Sequence, residues 1–169
     1  MIETLFTPEL AARAAALLDR YRIQGLRIAT AESCTGGLVS GLLTEIAGSS
    51  DVVEGGFVTY SNNAKYASIG VSEELLAAHG AVSEQVARAM AEGVLAALPT
   101  ADVSVAITGI AGPGGGSAAK PVGLVHFATA RRGHATLHQE ERFGDKGRAA
   151  VRLLSVEAAL ALLERIGTS

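Results

Sequence analysis

The sequence predicts an α/β protein, a three-layer α/β/α sandwich around a mixed sheet of about five strands. Short β-rich runs, "LRIATAE", "GGFVTYS" and "ADVSVAITG", alternate with Ala- and Leu-rich segments of helical period. The last two runs, in "VGLVHFATARRGHATLHQEERF", are separated only by a turn at Arg132 and Gly133, so they pair as a hairpin. No linker or internal repeat divides the chain, and residues 1–169 are expected to form one domain without a second one attached.

The elements follow in order. In "TPELAARAAALLDRYR" Thr7 is placed to cap a helix, Pro8 takes its first position and Glu9 suits the positive end of its dipole. Leu10 at the third position rules out a reciprocal capping box. "LRIATAE" is the first strand, and "TGGLVSGLLTEIAGSS" is expected to be a helix ended by Gly48. "GGFVTYS" is the second strand, "NNAKYASIG" a short polar connection with some helix, and "SEELLAAHG" a helix closed by Gly80. A longer helix opens at Ser83 and stops at Pro99, followed by the buried strand "ADVSVAITG". The Gly-rich segment "GIAGPGGGSAAKP" leads into the hairpin, and a last helix is expected from about Lys146 to Ile166.

Composition narrows the function classes. The chain is 49% hydrophobic, 18% charged and 4% aromatic without Trp, and its net charge is −3. It therefore offers neither stacking platforms nor a general attraction to nucleic acid, although a local basic pocket for one phosphate fits. A single cysteine and no metal-type Cys/His spacing suit a reducing cytoplasm. The first residues read as an amphipathic helix rather than a signal peptide, and no apolar run is long enough to span a membrane.

In such sheets ligands bind beyond the carboxyl ends of the strands, and here those ends carry "AESCTGG", "TYSNNAK" and "TGIAGPGGG". Ser33 and Cys34 sit side by side at the turn into a helix N-terminus, where backbone N–H groups can hold an anion or a developing oxyanion. Either is a nucleophile candidate. Equally, Ser33 or Thr35 can simply cap the helix while Cys34 packs in the core. None of His79, His126, His134 and His138 is predicted at the three loops, so a histidine-assisted mechanism is poorly supported. Lys65, in the polar loop after the second strand, is the better base, because a buried lysine can lose its charge. The Gly-rich segment lacks the P-loop and dinucleotide-binding patterns. Arg148 and Arg152, one turn apart, are candidates for an anion clamp.

Together, "TAESCTGG", "GGFVTYSNNAK" with "IGV", "HGAVSEQVA", "TGIAGPGGG" with "KPVG", and "RAAVR" closely resemble the CinA C-terminal domain family, from about residue 8 to residue 165. That family includes stand-alone nicotinamide mononucleotide deamidases. The resemblance implies an amidohydrolase that forms nicotinic acid mononucleotide and ammonia through a serine and a lysine, without metal or other cofactor. It places the nucleophile on Ser33 and the base on Lys65, with Tyr60 and Thr108 orienting the pair. N–H groups near Thr35, Gly36 and Gly37 would stabilise the oxyanion, and Arg148 with Gly109 and Gly112 of the Gly-rich loop would hold the ribose phosphate. One departure stands out: the family's "GDR" is "GDKGR" here, which leaves Lys146 as an alternative to Arg148. The resemblance also leans toward a homodimer. Two other readings remain, a nucleotide-binding or regulatory module without turnover and an amidase using Cys34.

Overall fold

The computed structural model describes residues 4–168. Chain order is α1 (Pro8–Gln24), β1 (Ile28–Glu32), α2 (Leu38–Thr44), β2 (Val53–Val58), α3 (Asn62–Ile69), α4 (Glu73–His79), α5 (Glu84–Ala97), β3 (Val103–Gly109), β4 (Leu124–Arg131), β5 (Leu137–Arg142) and α6 (Arg148–Ile166), with a 3-10 turn at Ser49–Asp51. The sheet runs β2-β1-β3-β4-β5. Its first three strands are parallel, and β4 is antiparallel to both β3 and β5. The mixed five-stranded α/β sandwich read from the sequence is therefore the fold.

Period-two alternation along the strands sorts residues between two cores. Ile28, Val103, Val105, Ile107, Val125 and Phe127 pack with leucines of α1, α2 and α6 on one face. On the other face Ala29, Ala31, Ala106, Ala128 and Ala130 meet Val86, Met90 and Val94 of α5. That alanine floor lets α5 lie close to the sheet. Close approach extends sideways to α3, because a Cβ on Gly93 would stand 2.0 Å from the Ile69 carbonyl oxygen, which leaves room only for glycine.

Most predicted boundaries match local chemistry. Thr7 Oγ1 accepts the Leu10 N–H at 3.3 Å, Ser83 Oγ accepts the Val86 N–H at 3.3 Å, and α5 ends two residues before Pro99. Three differ. The helix expected to continue to Gly48 stops at Thr44, whose hydroxyl donates back to the Ser40 carbonyl at 2.7 Å. "NNAKYASIG" is a full helix rather than a connection, because Ser61 caps it through Ala64 N–H at 3.0 Å and Gly70, with φ 70°, ends it in the left-handed region. The last helix begins at Arg148, after Gly147 at φ 91°. Among the described residues no helix is long and apolar enough to cross a membrane.

Candidate active site

The carboxyl ends of β1, β2 and β3 converge because their ladders continue one residue past the strands. Ser33 N–H donates to the Ile107 carbonyl at 2.9 Å, and Thr59 N–H donates to the Glu32 carbonyl at 2.8 Å. These bonds fix Ser33 at the centre of the crevice. Lys65 lies on α3 rather than in a loop, and the helix turns its side chain inward until it is only 1% exposed. Its Nζ stands 3.0 Å from Ser33 Oγ, 2.8 Å from the Thr59 carbonyl oxygen and 3.3 Å from the Tyr60 carbonyl oxygen. Burial disfavours the ammonium and pulls its pKa down from the usual lysine range to about 8.

Cys34 lies close enough to Lys65 for the two to interact electrostatically, but it is buried differently. Its thiol packs into the core beneath α1, α2 and α6, and burial pushes its pKa up to about 11. A thiol held neutral in that way is a poor nucleophile at neutral pH. Ser33, with an amine at hydrogen-bond distance, is the group that the site can activate.

Ser33, Lys65, Tyr60, Thr108 and Arg148 all line one cavity of about 200 Å³, as do Cys34 and Gly109. These predicted residues are thus brought together, whereas Thr35, Gly36, Gly37 and Gly112 do not line the cavity, and several do different work from that expected. The Thr108 hydroxyl does not touch the pair; it donates to the Ala81 carbonyl at 2.8 Å and so fixes the wall ahead of α5. Tyr60 meets the pair through its backbone carbonyl, which also lies 3.5 Å from Ser33 Oγ, while its phenol reaches outward. There Arg148 donates to the phenol oxygen at 2.9 Å and, through its other amine, to the Gly112 carbonyl at 3.0 Å. Gly109 ends β3 under Val125, whose Cγ2 would stand 2.7 Å from any Cβ placed there. Lys146 is exposed and lies outside this cavity.

The turn after Ser33 also departs from expectation. Gly36 and Gly37 adopt φ 62° and 98°, as a tight turn demands. Their N–H groups are already occupied, Gly36 by the Ser33 carbonyl and Gly37 by the carboxylate of Glu32. Glu32 also accepts from Val39 and Ser40, so one buried side chain satisfies the start of α2 and leaves nothing there for a ligand. Neither Ser33 nor Thr35 caps that helix, and the buried Thr35 hydroxyl has no hydrogen-bond partner among the described residues.

The sequence reading missed Glu32 and gave Arg152 another role. A carboxylate within the buried run "IATAE" must be compensated, and that requirement was the available signal for Glu32. Arg152, expected in an anion clamp with Arg148, instead donates through Nε to the Cys34 carbonyl and through Nη2 to the Thr35 carbonyl, each at 3.1 Å.

The histidines stay away from the pair. His126 Nδ1 and His138 Nε2 lie 2.9 Å apart beside a different cavity, and burial lowers the pKa of both imidazoles. Among the described residues no group of three His, Cys, Asp or Glu side chains is placed to hold a metal ion.

Fold and site together define a class: a three-layer α/β protein with a buried serine and amine pair at the carboxyl edge of its parallel strands. The chain belongs to the CinA C-terminal domain family, which matches residues 10–166. It is 51% identical over 152 residues to the CinA-like protein of Syntrophobacter fumaroxidans, covering 89% of this chain and 35% of that one. With the CinA-like protein of Gloeobacter violaceus it shares 47% over 156 residues, covering 92% and 36%. The chain thus spans about a third of the length of these curated relatives. The crystal structure of competence/damage inducible protein CihA from Agrobacterium tumefaciens superposes with a TM-score of 0.93 at 52% identity, covering 96% of this chain and 98% of that one. A CinA superfamily protein from Escherichia coli gives 0.88 at 35% identity, covering 98% and 95%.

Proposed function

We propose that this chain is a nicotinamide mononucleotide amidohydrolase of the serine and lysine type. The observation that carries the reading is the buried Lys65 Nζ, 3.0 Å from Ser33 Oγ at the floor of a cavity. A lysine with its pKa near 8 exists partly as the free amine at neutral pH, which is what a base for a serine hydroxyl requires.

The steps follow from that pair. Neutral Lys65 takes the Ser33 proton as Oγ attacks the carboxamide carbon, and the carbonyl oxygen becomes an oxyanion. When the intermediate collapses the C–N bond breaks, Lys65 returns its proton to the departing nitrogen, and ammonia leaves an acyl-Ser33. Water then attacks the ester, losing one proton to Lys65, which passes it to the Ser33 oxygen as the carboxylic acid is released and gives its remaining proton to solvent. The cavity, about 200 Å³, is small beside the ~300–1,000 Å³ pockets that enclose drug-sized ligands, so it suits the pyridine carboxamide end. The ribose phosphate then lies at the rim, where the exposed Arg148 guanidinium offers a charge-assisted contact.

Ammonia release from nicotinamide mononucleotide tests this, with purified protein in excess chelator beside Ser33→Ala and Lys65→Ala. Turnover that survives chelation and disappears in both variants supports the reading. A wild-type protein that binds the nucleotide without turnover overturns it in favour of a regulatory module.

A further inference from the structure

All three carbonyls of the turn after Ser33 are engaged. The Ser33 carbonyl accepts the Gly36 N–H at 3.1 Å, and the Cys34 and Thr35 carbonyls both accept from Arg152. At the start of the same turn the Cys34 N–H lies against its own sulfur, and the Thr35 N–H has no main-chain or side-chain acceptor among the described residues. In a trans peptide the N–H points opposite to the carbonyl it shares a plane with. A guanidinium that grips the Cys34 carbonyl therefore turns the Thr35 N–H away from α6.

From this we infer that Arg152 is a positioning residue for the reaction: it holds the turn from behind so that the Thr35 N–H receives the oxyanion formed at Ser33. Arg152 makes no contact with the nucleophile or the base, and it lies outside the cavity. It acts through peptide orientation alone. The planar fork suits this task, since two donors in fixed geometry bind successive carbonyls, whereas a lysine would hold only one. Gly36 completes the arrangement. A Cβ at that position would stand 3.4 Å from Arg152 Nη2, so the fork lies close against the turn.

The inference rests on Ser33 being the nucleophile, and its test separates the two ideas. A biotinylated fluorophosphonate reacts with an activated serine without needing the natural substrate. Ser33 Oγ attacks phosphorus, the P–F bond breaks, fluoride leaves and the proton passes to Lys65, while the P=O oxygen gains charge where the oxyanion would lie. Labelling rates are measured against probe concentration and pH for wild type, Arg152→Met and Arg152→Lys.

Arg152→Met is expected to lower the saturated labelling rate by ~10²-fold, the scale of a lost oxyanion donor, with unchanged half-saturating concentration and pH midpoint. Arg152→Lys should recover part of the loss. Labelling of Arg152→Met at the wild-type rate overturns this inference alone. So does a loss that appears as weaker probe binding or a displaced pH midpoint, since Arg152 would then act through the cavity or the base. Should Arg152→Met fail to fold, Arg152→Lys decides: wild-type labelling overturns the inference, and slower labelling at an unchanged midpoint supports it. Wild-type protein that is not labelled overturns the serine reading and this inference with it.

Discussion

Lys65 and Thr59 meet amine to carbonyl at 2.8 Å, and this contact is shorter than the one that Lys65 makes to Ser33. The Tyr60 carbonyl takes a second position at 3.3 Å. A neutral amine has two N–H groups, and both find acceptors in these carbonyls. Its lone pair is then left facing the Ser33 hydroxyl. Backbone carbonyls at the end of β2 thus hold the Lys65 amine toward Ser33.

The pH dependence follows directly. Protonated Lys65 cannot accept a proton, so kcat/KM should rise as pH passes through about 8 and level off above it. A flat profile between pH 7 and 9 would remove Lys65 from the role of base.

Stability carries the same signature. Between about 8 and the ordinary lysine value of ~10.4, the unfolded chain binds a proton that the folded chain has released. Unfolding free energy therefore rises with pH across that window, and the cost of the buried charge is fully present below it. Urea unfolding of Lys65→Met should show a shallower slope from pH 8 to 10 than wild type; parallel slopes would mean that Lys65 titrates normally.

Ser33→Ala should abolish detectable turnover, while Cys34→Ala keeps it and iodoacetamide leaves the enzyme active. The reason is the opposed environments of two neighbours: Ser33 faces the amine, and the Cys34 thiol is held neutral by burial. Inactivation of Cys34→Ala to the level of Ser33→Ala would overturn this division.

Arg148→Met should raise KM for nicotinamide mononucleotide by ~10- to 100-fold, about 1.4–2.8 kcal/mol of lost phosphate contact. For the corresponding riboside, which lacks the phosphate, KM should hardly change. Tyr60→Phe removes the phenol oxygen that accepts from Arg148 and should have a smaller effect in the same direction. Equal losses on nucleotide and riboside would place Arg148 in a structural role instead.

Much of the fold was legible because its signals are local. Strand and helix periods and caps such as Thr7 and Ser83 lie within a few residues of one another. The failure at "NNAKYASIG" was of the same local kind, since Ser61 looks like the end of a strand until its hydroxyl is seen to cap α3. The candidate site divides differently. Lys65 was identifiable as a titratable residue at a strand end, but its helical setting was not. Arg152 reaches carbonyls more than a hundred residues earlier in the chain, and the Thr108 hydroxyl turns to Ala81 rather than to the pair. Contacts of that span depend on tertiary packing, and no local pattern encodes them.

α6 supplies both Arg148 and Arg152, which clasp the loops after β1, β2 and β3. Those loops are synthesised long before the helix that joins them. The three loops therefore gain their mutual bracing only when α6 has formed and docked, so the arrangement around Ser33 and Lys65 depends on a helix far from both in the sequence.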